Sequence, residues 1–343
     1  MSRLVTIALV FVACLAAFVA AVLLRAGDDV METGVFLRPT RVELGVTMRQ
    51  LEEKDARVVW LGDSTVLDSI DIPSYADIVA ERIARSGDEM PPHGVVAMVG
   101  LDFYHYYCML GRILERKPEV VVLVAHLRMF VDGARAFMDL CSFLPASELP
   151  RAMLLPFRER DVGPLDLLGY QLLRLPGAET SFLAFEGAQR LFQDKDPTGL
   201  LAKTPTYFER LGMGGRKPAL EYLRSYALDL DREHPVVRMM GATVDMARRH
   251  GAEVLVVASP IPYEKLEARG WYQPQTIDVL RRVVEENGGH FFDGHRVLQK
   301  RHYRDESGHY TTEGAEILAE ALEPTMREVL EDRASPGRAT EAP

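Results

Sequence analysis

Apolar residues fall along this chain in three patterns. The first is unbroken: from Leu4 to Leu24 the only polar side chain in 21 residues is Thr6. As a helix rising about 1.5 Å per residue, such a run reaches about 30 Å, the thickness of a bilayer's hydrocarbon core. The second pattern is the short apolar block, seen at 57–62, 94–99, 120–125, 254–258 and 290–292. Continuous blocks of this kind, rather than alternating ones, predict strands of a parallel sheet covered on both faces. The third is helical. It predicts helices over 73–85, 234–250, 276–286, and from Thr311 or Thr312 to about Leu330. Within 234–250, Val236, Met240, Val244 and Ala247 share one face, and Gly251 stands where a helix C-terminus favours glycine.

Strand–helix alternation predicts an α/β fold, a three-layer sandwich with a central, mostly parallel sheet. The stretch from about 127 to 233 breaks the rhythm. It is Leu-rich with helix-like periodicity, interrupted at Pro145, Pro156, Pro164, Pro176, Pro197 and Pro205, and reads as a large helical insertion. Residues 1–26 are then a transmembrane anchor or a signal, 27–54 a linker, 55–330 the folded domain, and 331–343 a tail whose composition predicts disorder. An uncleaved N-terminal transmembrane helix fits better than a cleaved signal, whose apolar region is usually about 7–15 residues. Arg3 precedes the run, while Arg25, Asp28 and Asp29 follow it. The positive-inside tendency places the N-terminus in the cytoplasm and the body outside, in the periplasm or at the cell surface.

Charge and cysteine content narrow the class. The formal net charge is −10 and no Lys/Arg stripe interleaves with aromatics, which argues against a nucleic-acid partner. Cys14, Cys108 and Cys141 match no zinc or redox spacing. Two buried thiols at Cys108 and Cys141 are the expectation, with a disulfide between them the alternative if the body is exported. No His/Cys/carboxylate set has metal-ligand spacing, and neither metal nor cofactor is expected. Gly212–Lys217 is Gly-rich and basic but lacks the preceding strand and the Ser/Thr of a phosphate loop.

In an open parallel sheet, sites form at the carboxyl ends of strands. Asp63 and Ser64 follow the first block there, Gly100 the second, His126 and Arg128 the third, and Ser259 the fourth. A serine hydroxyl is a weak nucleophile that needs a base within reach and a group that orients the base. The loop Tyr303–Thr312 supplies an acid and His309 just before the last helix. His105 with Tyr104, Tyr106 and Tyr107 reads as packing before substrate groove, and Asp293 and His295 read as structural.

Gly62-Asp63-Ser64 near the start of the domain and an Asp-x-x-His-like loop near its end resemble the SGNH, or GDSL, hydrolase superfamily. Gly100, the Val254–Pro262 strand and turn, and Phe291-Phe292-Asp293 agree in order with that family; the resemblance spans roughly 55–130 and 235–325. It implies Ser64 as nucleophile, His309 as general base and Asp305 as the orienting acid, with Glu306 the alternative. The backbone N–H groups of Ser64 and Gly100 would bind the oxyanion. Two features depart from the family. Three residues lie between Asp305 and His309 where the family usually has two, as Glu306 does, and the segment after the third strand, Ala125-His126-Leu127-Arg128, lacks the Asn that donates to the oxyanion. His126 or Arg128 is the expected substitute. With a membrane anchor and a helical insertion, the chain is similar to SGNH-like proteins of cell-envelope polysaccharide O-acylation. That implies an acylated polysaccharide or other ester as substrate and a membrane-bound O-acyltransferase as partner. The alternative is an inactive scaffold that binds a glycan or a partner.

Overall fold

The computed structural model of the chain describes residues 51, 54–63, 65–66, 74–87, 90–97, 101–130, 148, 151, 223–304 and 308–334. The five apolar blocks form β1 (Val58–Gly62), β2 (His93–Ala97), β3 (Val120–Ala125), β4 (Glu253–Ala258) and β5 (His290–Asp293). All pair in parallel, in the order β2-β1-β3-β4-β5. The register sets Leu61 beside Val96 and Leu123, and Ala125 beside Ala258. The carboxyl ends of the strands therefore come level along one edge of the sheet.

Helices cover both faces, as the continuous apolar blocks require. Val58, Trp60, Val122, Val124, Leu255 and Val257 point toward α1 (Tyr75–Arg85) and α6 (Thr312–Ala334). Their strand neighbours Val59, Leu61, Val121, Leu123, Val254 and Val256 point the other way. There they meet α2 (Phe103–Leu114), α3 (Pro235–Arg249) and α5 (Gln275–Glu286). A short α4 (Tyr263–Glu267) follows β4. The three-layer sandwich matches the expected class.

Most predicted boundaries agree within two residues. Ser74 caps α1 by accepting from the Ala76 N–H, and Gly251 leaves α3 with φ +86°. Two differences have clear causes. Helix α2 is not among the predicted helices; every residue in it except Arg112 is buried, so its sequence reads as a nearly unbroken apolar and aromatic run. Helix α6 continues past the expected end at 330 to Ala334, so the first part of the predicted tail is helical. Arg333 pairs there with Glu119, and Asp332 lies 3.7 Å from His290, anchoring the extra turn to the sheet layer.

Of the predicted insertion, the described part comprises the 3-10 turn Leu127–Phe130, Glu148, Arg151 and 223–233. Leu223, Tyr226 and Leu230 are buried against the α2/α3/α5 layer, and Glu148 is held by Arg249 at 2.7 and 3.1 Å. The helices predicted for the remainder, the apolar run 4–24, the linker through 50 and the tail from 335 lie outside the described residues. No helix among the described residues is long and apolar enough to cross a membrane. Cys108 is disulfide-bonded, which replaces the expectation of a buried free thiol; its partner lies outside the described residues.

Candidate active site

The sheet order reverses beside β1. The chain leaves β1 for β2 on one side and returns as β3 on the other, which opens a crevice between the β1 and β3 ends. Asp63 and His126 stand on either side of it. Ser64, Gly100, Asp305 and Glu306 lie outside the described residues, whereas His309, His126 and Arg128 lie inside them. The flanks of the undescribed residues are nonetheless fixed.

The turn around Ser64 is pinned from both sides. Asp63 Oδ1 accepts from the Thr65 N–H at 2.9 Å and from Thr65 Oγ1 at 2.6 Å, and the Val66 N–H donates to the Asp63 carbonyl at 3.1 Å. This is the side-chain-to-backbone turn that Asp favours. Gly62 is required by packing: a Cβ there would lie 2.2 Å from Val66 Cγ2. The turn therefore folds back over the strand that leads into it.

The C-terminal loop descends onto the same corner. Tyr303 and Tyr310 form an antiparallel bridge, the Arg304 N–H donates to the His309 carbonyl at 2.8 Å, and the Thr311 N–H donates to the His302 carbonyl at 2.9 Å. These bonds close the ends of the segment that carries Asp305 and Glu306. Tyr310 is buried beside the hydroxyls of Ser259 and Thr65, and Asp63 is near enough to act on it electrostatically. Burial holds its phenol far above the ordinary value, so it remains a neutral O–H. Rings continue beneath it: Tyr75 lies 6.3 Å from Tyr310, and Trp60 lies 5.9 Å from Tyr75, edge to face. The hydroxyls of Ser259, Tyr310 and Tyr75 make no hydrogen bond of good geometry among the described residues.

His126 is 1% exposed. Its Nε2 lies 3.2 Å from the Tyr226 hydroxyl and its Nδ1 faces Asp63 Oδ2 at 3.9 Å. Burial is the largest influence on the ring and lowers its pKa to about 4; Asp63 opposes that, while Arg128 and His309 add to it. The imidazole is thus neutral at neutral pH, with both nitrogens directed at protein groups. Arg128 is half-buried on the single turn after β3. Tyr226 had no motif to announce it.

The other candidates are structural. Asp102 Oδ1 accepts from the Tyr104 and His105 N–H groups and caps α2, with His105 Nδ1 2.6 Å from the same oxygen. Asp293 and His295 bond each other; Arg281 donates to Asp293 at 2.8 Å, and His295 bonds the Tyr272 hydroxyl. No group of metal-binding side chains occurs among the described residues.

No protein-family model and no curated protein sequence matches the chain. Among solved structures it is similar to TesA, at 13% identity over 79% of this chain and 98% of that chain, TM-score 0.36. A catalytic mutant of Axe2, an acetylxylan esterase from Geobacillus stearothermophilus, is similar at 11% identity over 79% and 93%, TM-score 0.38. A GDSL-like lipase from Bacteroides thetaiotaomicron is similar at 11% identity over 83% and 97%, TM-score 0.35. These likenesses are distant, and the fold described above rests on the chain's own strand order and register.

Proposed function

We propose that the chain is an SGNH-type serine esterase or O-acyltransferase, acting outside the cytoplasm on acyl esters of an envelope or exopolysaccharide. One observation carries this reading. The residues on both sides of Ser64 meet the loop of His309 at the crevice between β1 and β3, because Tyr310 packs beside Thr65 and His126 lies against both Asp63 and Gly308. Two segments about 245 residues apart in sequence are thereby brought to one corner, at the place where open α/β sheets put their sites.

In this reading His309 takes the Ser64 proton as the hydroxyl oxygen attacks the ester carbonyl carbon. Asp305, or Glu306, orients the ring. The negative charge that develops on the carbonyl oxygen is met by the backbone N–H groups of Ser64 and Gly100. Arg128 is the cationic residue on the turn after β3. Loss of one such donor typically costs on the order of 10²–10³ in rate. The intermediate collapses when His309 returns its proton to the departing alcohol. Water or a sugar hydroxyl then attacks acyl-Ser64, giving hydrolysis or transfer. The disulfide at Cys108 supports an oxidising compartment. The apolar run 4–24 supports attachment to the membrane, where a membrane-bound O-acyltransferase would be the partner.

A scaffold that binds a glycan or partner without catalysis is the second reading. It is favoured by the absence of Asn after β3 and by His126 turning both ring nitrogens inward. Turnover of p-nitrophenyl acetate and of an acetylated glycan by the full chain in detergent separates the two. Catalysis predicts turnover that Ser64→Ala abolishes. Equal negligible turnover by both proteins, with no acyl adduct on wild type, gives the scaffold.

A further inference from the structure

Among the described residues of this corner, His126 lies against three separate segments. It follows β3, faces the end of β1 through Asp63, touches Tyr226, and lies under the loop at Gly308. An imidazole kept neutral by burial has one N–H donor and one acceptor. The Asp63 carboxylate faces Nδ1, which favours the proton there. With the proton there, Nε2 would accept from the Tyr226 O–H, which lies 3.2 Å away. The two rings meet edge to face, 5.3 Å apart and inclined by 79°. Asp63 is itself committed on its other oxygen, Oδ1, to Thr65.

Gly308 completes the arrangement from above. Its φ is +96°, and a Cβ there would stand 2.8 Å from the Tyr226 hydroxyl and 2.9 Å from His126 Nε2. The residue next to His309 therefore rests directly on the bonded pair. The charged and titratable groups facing the imidazole are Asp63 from the β1 end, Arg128 from the following turn, His309 from the loop, and Tyr226.

We propose that Asp63, His126 and Tyr226 form a carboxylate–imidazole–phenol lock that holds the turn bearing Ser64 and the loop bearing His309 in mutual register. His126 and Tyr226 are its positioning residues. The lock rests on the proposed function only for the roles of Ser64 and His309. Tyr226 makes the long segment between β3 and α3 a contributor to the site, through a residue 100 positions from His126.

Two measurements test the lock without reference to activity. Histidine-selective ¹⁵N NMR of the full chain in detergent should show His126 as the neutral Nδ1–H tautomer from pH 8 to below pH 5.5. Tyr226→Phe should mix the tautomers and raise the pH at which the ring titrates. Amide exchange should report the loop: the Arg304 and Thr311 N–H groups should exchange about 10-fold faster in Tyr226→Phe and His126→Ala, with recovery in His126→Gln, which keeps a donor and an acceptor. An ordinary titration near pH 6.5, an Nε2–H tautomer, or unchanged loop exchange in both variants overturns the proposal. Phosphonylation of Ser64 by a fluorophosphonate adds the kinetic arm, about 10-fold slower in Tyr226→Phe. If wild type is not phosphonylated, the serine-enzyme reading fails, while the NMR and exchange results still decide the lock.

Discussion

Replacing Gly308 by Ala would put a methyl group where two hydrogen-bonded side chains already meet. Two costs separate cleanly here. The first is conformational: φ is +96°, and a left-handed conformation costs a non-glycine residue roughly 1–2 kcal/mol. The second is contact. The Cβ would lie 2.8 Å from the Tyr226 hydroxyl and 2.9 Å from His126 Nε2, so the loop must lift or the pair must part, at about 1–3 kcal/mol for overpacking. Gly251 is the built-in control, with φ +86° and nothing within 4 Å of its Cβ. Gly251→Ala should therefore lose only the conformational part, about 1–2 kcal/mol, and leave reactivity at Ser64 intact. Gly308→Ala should lose about 2–5 kcal/mol in all and slow fluorophosphonate labelling about 100-fold. Denaturant unfolding and labelling kinetics on both variants provide the comparison. Equal stability losses with equal labelling rates would refute the argument that the loop is seated on His126 and Tyr226.

Gly62→Ala drives its Cβ into Val66 Cγ2 at 2.2 Å and should cost about 1–3 kcal/mol in unfolding experiments; Val66→Ala in the same chain should return part of that loss. Acid stability should depend on Glu253, whose pKa is lowered to about 2, chiefly by its hydrogen bond to His290, with Arg248 adding to the effect against burial. A depressed carboxylate contributes stability above its unfolded value of about 4.5 and loses it as pH falls through about 2. Glu253→Gln should flatten the stability-versus-pH curve in that window, and an unchanged slope would count against it. Thiol titration of the denatured, unreduced chain should find one free thiol among the three cysteines, with peptide mapping joining Cys108 to Cys141. Three titratable thiols would remove the compartment argument.

What could be read in advance depended on whether the signal was local. Strands β1, β3 and β4 are continuous apolar blocks buried on both faces, and Gly251 marks the end of α3 by a conformation that glycine favours. Helix α2 is hard to read because nearly every residue in it is buried and apolar or aromatic, although Asp102 and His105 encode its cap. The Ser64 turn and the His309 loop announced themselves by residue type. The His126–Tyr226 pair did not, since a contact across 100 residues leaves no spacing to recognise. Gly308 was the available clue: a glycine beside the candidate base that had no turn motif to explain it.

Labelling of the full chain with a fluorophosphonate, followed by peptide mass mapping, addresses the joint action of Ser64 and His309 most directly. Wild type should carry a single adduct on Ser64, Ser64→Ala none, and His309→Ala should label at least 100-fold more slowly, the usual scale for loss of a general base. An adduct on another residue, or equal labelling of wild type and His309→Ala, would contradict it.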